Sequence, residues 1–436
     1  MGGPALVPAG GERTGAPSAQ GAAVPLPRAE APATTPATTR PPRVAAVDAV
    51  RGLLLVVSIV TSSLITPPEW FEHAPWQGVH PLDVVFPAFV VLTGVGLGFA
   101  HKNGVRLPRL ARRVVVLVLA GLAYNAVLAW ARDGAVDLGA LRWTGVLQLY
   151  AALVLVVAAL HLVVRGWVAW TAVALGLAAA HTWLLSHWQG LCPGGVLTPQ
   201  CNPSLAVDGR LFPADHLYWQ LQAGHDPEGL VALLGACATA AAGTAAAHAI
   251  AAGRSSGASR ATGRRAVAAA AARPAAVALR LLAVSAVLAV GAVAASPAVP
   301  AMKRLWTAPF GLSVAAAVVL VVALVHAVVD APWVEAPSPR SGRPTLPGAV
   351  VQACRRPFVA LGRNSLLVYF GSHVVVALLL LRPLRPDPAV QPSYAQSLAE
   401  GMSWAGGPQV GFSAALLASW WVVALALHRR GWYLRA

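Results

Sequence analysis

Charge is what this 436-residue chain has least of. Asp, Glu, Lys and Arg make up 11% of it, where a soluble domain carries roughly a quarter. That scarcity excludes a surface wetted on all sides, and with 57% hydrophobic residues and a mean hydropathy of +0.63 it implies a chain bathed largely in lipid. Strand-period alternation is missing, which excludes a transmembrane barrel. Cysteine is scarce too: the 4 residues form no CxxC pair, so neither a zinc cluster nor a disulfide framework is expected. Acidic residues, at 16, are half as many as the 32 basic ones.

What is present instead is a series of apolar runs, each long enough to cross a hydrocarbon core of roughly 30 Å. They are expected at about 50–66, 83–100, 113–131, 144–164, 167–187, 229–251, 279–296, 308–329, 362–381 and 410–428. The fold class is therefore all-α: a polytopic helical bundle of about 10 transmembrane helices with the lipid bilayer as its partner. The net charge of +16 does not point to nucleic acid, because Lys and Arg gather in short clusters between alternate runs. Such asymmetry is a topology signal. It predicts a multi-pass protein of the plasma membrane with both termini cytoplasmic, and it turns the segment around His73 outward. Residues 1–42 are rich in Pro, Ala, Gly and Thr and have no continuous apolar stretch, so they read as a disordered cytoplasmic tail rather than a signal peptide. A membrane domain is expected over 43–436, with an external loop at 189–226 and cytoplasmic loops at 252–280 and 330–356. Cys192 and Cys201 flank a turn-rich part of the external loop and are either disulfide-bonded or free.

The stretch FEHAPWQGVHPLDVVFPAFVVLTG, Phe71 to Gly94, is where chemistry is expected. It is too polar for lipid and runs straight into an apolar helix. His73 can take or give a proton near neutral pH, Trp76 offers a flat wall or an interfacial anchor, and Asp83 is either a helix cap or a charged partner. His73, His80 and Asp83 match no zinc spacing, and no metal is expected. At the other end of the first run, Arg43, Asp48 and Arg51 allow a local ion pair, and the arginines suit an anionic, phosphate-bearing ligand. Polar islands interrupt the apolar pattern at LRWTGVLQLY, DHLYWQLQAGHDPEGL, KRLWTAPF and LGRNSLLVYFGSH. Interfacial aromatic belts account for their Trp and Tyr but not for Glu228 or Asn364 at helix entries, where unpaired polar groups are costly.

Taken in order, RVAAVDAVRG, HAPWQG…DVVFPAFVVLTG, LRWTGVLQ, DHLYWQ…DPEGL, KRLWT and GRNSLLVYFGSH resemble the transmembrane acyltransferases related to heparan-α-glucosaminide N-acetyltransferase. The resemblance spans about residues 43–375. It implies transfer of an acetyl group from cytosolic acetyl-CoA to an amino or hydroxyl group of an extracytoplasmic sugar or glycan, with His73 as the catalytic residue. It also implies a cavity lined by Ser62, Trp76, Asp83, Arg142, Glu228, Trp306 and Asn364, CoA phosphates held by Arg43 and Arg51, and a possible homodimer. Ser62 stands where the family has an asparagine, and Leu149 where its motif has a basic residue. A transporter without acyl chemistry and a catalytically degenerate relative are the alternatives.

Overall fold

In the computed structural model, residues 2, 43–255, 264–336, 344–382, 392–402 and 406–434 are described, with the backbone alone for 255, 264–272 and 335. The tail expected over 1–42 falls outside these, Gly2 apart. The helices are α1 (Ala45–Ser62), α2 (Val85–His101), α3 (Leu107–Asp133), α4 (Val146–Leu160), α5 (Trp167–Leu191), α6 (Pro203–Leu211), α7 (Leu230–Ser255), α8 (Arg264–Ala295), α9 (Ala308–Val329), the one-turn α10 (Pro332–Glu335), α11 (Leu346–Arg363), α12 (Ser365–Leu381), α13 (Tyr394–Glu400) and α14 (Pro408–Arg429). No strand occurs among the described residues, only the isolated bridges Gly78–Met302 and Thr198–Cys201.

Every expected apolar run has a helical counterpart, but fewer than ten are membrane-length. Among the described residues, eight helices are long and apolar enough to span, and α11 with α12 makes a ninth if that pair, bent by 74°, counts as one. The run expected at 144–164 is the shorter α4, which begins after Gly145, at φ 148°, and ends at Leu160 before a turn over 161–163. The segments 252–280 and 330–356, expected as loops, are helical over much of their length. The Ala-rich sequence of high helix propensity carries α8 back to Arg264, and α11 begins at Leu346.

Side-chain size decides how the bundle closes. Lipid supplies no hydrophobic drive between helices, so close contact depends on small residues. Helix α7 is nearly all Ala, Gly and Thr on its buried face and packs against α2, α4, α5, α8 and α9. A Cβ at Gly94 of α2 would run into the Ala240 carbonyl, and one at Gly243 of α7 would run into the Val91 carbonyl. The Thr244 hydroxyl lies 3.2 Å from the Gly94 carbonyl and 3.0 Å from the Ala240 carbonyl, bridging the two helices. At the end where α1 begins, the Asp330 carboxylate accepts the Ala45 and Ala46 amides at 2.9 and 3.1 Å and pairs with His326 at 2.8 Å, tying α1 to the end of α9.

Gly94→Ala and Gly243→Ala are each expected to destabilise the bundle by about 1–3 kcal/mol, the usual size of an overpacking penalty. Thermal melting in detergent measures this, and an unchanged midpoint would contradict the α2–α7 contact.

Candidate active site

The loops that precede α2, α4, α7 and α9 gather at one end of the bundle, and the polar islands meet there. The turn before α2 passes Pro67 and Pro68, makes a 3₁₀ turn at Glu69–Phe71 and re-enters through a second at Pro81–Val84. Asp83 lies in that second turn with no solvent exposure. Its carboxylate accepts the His80 amide at 2.8 Å and the Ala74 amide at 3.2 Å, and meets His73 Nδ1 at 2.7 Å. Asp83 is thus both cap and charged partner, the two roles that its position in the sequence left open. Accepting from Nδ1–H assigns the His73 tautomer and leaves the lone pair on Nε2. The His73 side chain is 42% exposed, so the base faces outward while its acid is sealed.

Lys303 completes this cluster from the loop before α9. Its ammonium is 3.5 Å from Asp83 and lies 2.8 and 3.1 Å from His73 Nδ1 and Nε2. Because Nδ1 already donates to Asp83, the hydrogen bond from Lys303 goes to Nε2. Burial pulls the Lys303 ammonium below the usual lysine range, against the opposing pull of Asp83 and Glu228. The neighbouring Arg304 donates to the Ala74 carbonyl at 3.2 Å, and the Gly78 amide donates to the Ala301 carbonyl at 3.1 Å. The two loops are therefore fastened at several points.

Arg142, just before α4, organises a second cluster. Its guanidinium meets Asp226 at 2.7 Å, Glu228 at 2.6 Å and the Thr144 hydroxyl at 3.0 Å, and lies 4.7 Å from the Tyr218 ring centroid. Burial pulls it down, yet Glu228 and Asp226 hold it above even the ordinary arginine range. Asp226 is fully enclosed and also accepts the Thr144 hydroxyl and the Tyr218 amide. Glu228 lies within electrostatic reach of Lys303, and so joins the two clusters. It is also within reach of Tyr124 and Tyr369 inside the bundle.

A disulfide joins Cys192 and Cys201. The loop it closes grips both halves of the site. The Leu197 carbonyl accepts Trp76 Nε1–H at 2.8 Å, and the Asn202 amide donates to the Gly224 carbonyl at 2.8 Å, next to His225. Trp76 and His225 meet edge to face at 5.4 Å. Burial, helped by the positive charges of Arg304 and Arg142, lowers the His225 imidazole to about 4, and its Nδ1–H donates to the Ala223 carbonyl at 2.9 Å.

The other expected residues lie apart from these clusters. Trp306 is buried at φ 52°, donates to the Thr239 hydroxyl at 3.0 Å and packs on Phe86 at 5.2 Å. Asn364 is fully buried at the α11–α12 break, with its Oδ1 unpartnered among the described residues. The Ser62 hydroxyl bonds back to the Ile59 carbonyl at 3.2 Å and is not hydrogen-bonded to the His73 cluster. Arg51 donates to the Leu92 carbonyl at 2.6 Å and sits 3.6 Å from Asp48, the expected ion pair, while Arg43 is exposed just ahead of α1 in the sequence. The His80 ring bonds the Glu72 carbonyl at 2.8 Å, and among the described residues no three His, Cys, Asp or Glu side chains are grouped to hold a metal ion.

Sequence reasoning missed Lys303, Asp226, Thr144 and His225 as members of the site. All lie within the polar islands KRLWTAPF, DHLYWQLQAGHDPEGL and LRWTGVLQLY, where nothing local distinguishes them from their neighbours.

His225 supplies a pH test. Unfolded, it takes a proton near 6.5; folded, only near 4. Between these values the unfolded state binds more protons, so stability falls as the pH drops from about 6.5 toward 4. His225→Gln is expected to flatten that part of a plot of melting temperature against pH.

Residues 43–203 match the family model described as heparan-alpha-glucosaminide N-acetyltransferase, catalytic. The matched segment carries His73, Trp76, Asp83, Arg142 and Thr144. The human protein named heparan-alpha-glucosaminide N-acetyltransferase is 25% identical over 261 residues, covering 48% of this chain and 39% of that relative. The chain therefore spans well under half of the relative's length. The family model covers the part of the chain that carries RVAAVDAVRG, HAPWQG and LRWTGVLQ, and with the human match it shows that the chain is related to the heparan-α-glucosaminide N-acetyltransferase family.

Proposed function

We propose that this protein is a membrane-embedded acyltransferase that moves an acetyl group from cytosolic acetyl-CoA to an amino or hydroxyl group of an extracytoplasmic sugar or glycan. The observation that carries this reading is the Asp83–His73–Lys303 cluster, a buried carboxylate orienting a solvent-facing imidazole. Asp83 fixes the tautomer and stabilises the imidazolium that forms. His73 Nε2 takes the proton of the acceptor amine or hydroxyl as that atom bonds to the acetyl carbonyl carbon, and the carbon–sulfur bond then breaks with the imidazolium returning the proton to the departing CoA thiolate; in the alternative, Nε2 itself attacks the thioester, CoA leaves, and the acetyl group passes from the ring to the acceptor. In either route Lys303, released from Nε2, is close enough to steady the carbonyl oxygen as it gains negative charge. Trp76, Arg142 and Glu228 would shape the acceptor side.

Acetyl-CoA supplies the acetyl group as a thioester, and the residues at the Arg51 end fit its phosphates. Arg51 is joined there by Arg113, which lies within its electrostatic reach and whose Nε is buried and unpartnered among the described residues. The clustering of Lys and Arg supports an orientation with the Arg51 end and both termini in the cytoplasm.

In proteoliposomes given labelled acetyl-CoA and an amino-sugar acceptor, His73→Ala is expected to lower transfer by about 10²–10⁴-fold. The thermal stabilisation of the protein by CoA should persist in that variant. Undiminished transfer would remove His73 from the mechanism. The break at Asn364 favours a second reading, a carrier without acyl chemistry, since discontinuous helices line solute sites. Solute uptake that needs no CoA, together with no thermal response to CoA, would establish it.

A further inference from the structure

Of the 32 basic residues in this chain two are lysines, Lys102 and Lys303, and the rest are arginines. An arginine stays charged at any working pH, whereas a lysine that gives up its proton is a primary amine with a nucleophilic lone pair. Lys102 is exposed, just past the end of α2 that lies away from the His73 cluster. Lys303 stands against His73 itself.

Its place is fixed from several sides. The Trp306 amide closes a turn onto the Lys303 carbonyl at 2.9 Å, the Thr307 amide donates to the Met302 carbonyl at 3.1 Å, and the Met302 amide donates to the Thr307 hydroxyl at 3.0 Å. Trp306 makes that turn at φ 52°, a conformation that favours glycine, and its indole is anchored on α7 by the bond to Thr239. The Lys303 side chain is 14% exposed, and its nitrogen lies 3.1 Å from His73 Nε2. That is the contact a general base makes with the amine it activates. The protein thus already holds a primary amine where the reaction needs that of the acceptor.

We propose that Lys303 is itself acetylated when acetyl-CoA is present and no acceptor occupies the site, an internal transfer that shuts the enzyme off. It rests on the acyltransferase reading for the acetyl thioester. The ammonium releases one proton to solvent, and the lone pair so uncovered bonds to the acetyl carbonyl carbon. His73 Nε2 takes one of the two remaining protons as the carbon–sulfur bond breaks, then returns it to the departing CoA thiolate, leaving N-acetyl-lysine and free CoA. Burial favours the neutral amine, while Asp83 and Glu228 hold the charge and so slow this reaction. A bound acceptor amine displaces Lys303 from Nε2 and takes the acetyl group instead. Once formed, the amide is neutral and does not give the acetyl group back, so Asp83 loses its ammonium partner and the reacting carbonyl loses its cation.

The test uses the full chain in nanodiscs, incubated with acetyl-CoA and no acceptor, with peptide mass mapping of both lysines. Lys303 is expected to gain an acetyl group at least about tenfold faster than Lys102, an advantage well within that of a nucleophile held beside its base. His73→Ala should bring Lys303 down to the rate of Lys102, and an amino-sugar acceptor should suppress the labelling. Transfer to that sugar should decay during preincubation with acetyl-CoA, in step with Lys303 labelling, and Lys303→Arg should abolish the decay whatever its starting rate. Where the sugar is acetylated, a Lys303 that stays unmodified, is labelled no faster than Lys102, or is labelled as fast in His73→Ala overturns the proposal and leaves the acyltransferase reading in place. Acetylation of neither sugar nor lysine would overturn both together. Labelling of Lys303 that depends on His73, without transfer to the sugar, would support the internal transfer and remove the sugar as acceptor.

Discussion

The site depends on one constraint, the need to satisfy a carboxylate that has lost all contact with water. An isolated ionised carboxylate is too costly to bury, and removing one partner from a buried pair costs roughly 3–5 kcal/mol. Asp83 is enclosed completely and is satisfied by the His80 and Ala74 amides, the His73 ring and the Lys303 ammonium. Each of those donors fixes something else. The two amides set the path of the turn into α2, the ring bond orients His73, and Lys303 draws the loop before α9 onto that turn. Moving Asp83 would release the imidazole, the helix entry and the loop contact together.

The same logic is repeated a short way off with the signs reversed. Arg142 is the buried cation, and Asp226 and Glu228 are its acids. Glu228 pairs with Arg142, and its charge also favours the ammonium of Lys303. The disulfide loop is the mechanical link. It holds Trp76 from the first cluster and the turn around His225 from the second. Two networks built from sequence segments far apart are thereby kept in fixed register outside the helices.

How much of this was legible in the sequence follows from the range of each signal. Hydropathy is local, and it located the spanning helices, but it made α4 too long and did not show the break between α11 and α12 at Asn364. It read 252–280 as loop because Arg and Ser dilute the apolar average, although Ala-rich sequence propagates helix regardless. His73 stood out because a polar turn interrupts grease, and its pairing with Asp83 crosses only ten positions. His80 stood out equally, yet its ring is committed to the Glu72 carbonyl. Lys303 could not be paired in the same way. It contacts His73 across 230 positions, and a lysine beside a membrane interface already has a sufficient local explanation. Ser62 was named only through the resemblance, at the position of a family asparagine, and its hydroxyl bonds back to the Ile59 carbonyl of its own helix.

Between the two ends, the bundle interior is more polar than stability alone would select. Tyr124, Tyr150 and Tyr369 bring phenol groups into the apolar helices α3, α4 and α12. Asn364 and Gln148 add buried amide atoms that find no partner among the described residues. Each unsatisfied group costs about 1–3 kcal/mol, and an apolar side chain of the same shape would remove that cost. A bundle selected only to fold would have made that exchange. Retaining these groups in the middle of an apolar core makes physical sense where something polar occupies the interior, such as water or an extended ligand reaching from the arginines to His73. The packing of α2 on α7 through glycines is the complement of this polar interior: it leaves no slack on that side, while the tyrosines lie on α3, α4 and α12.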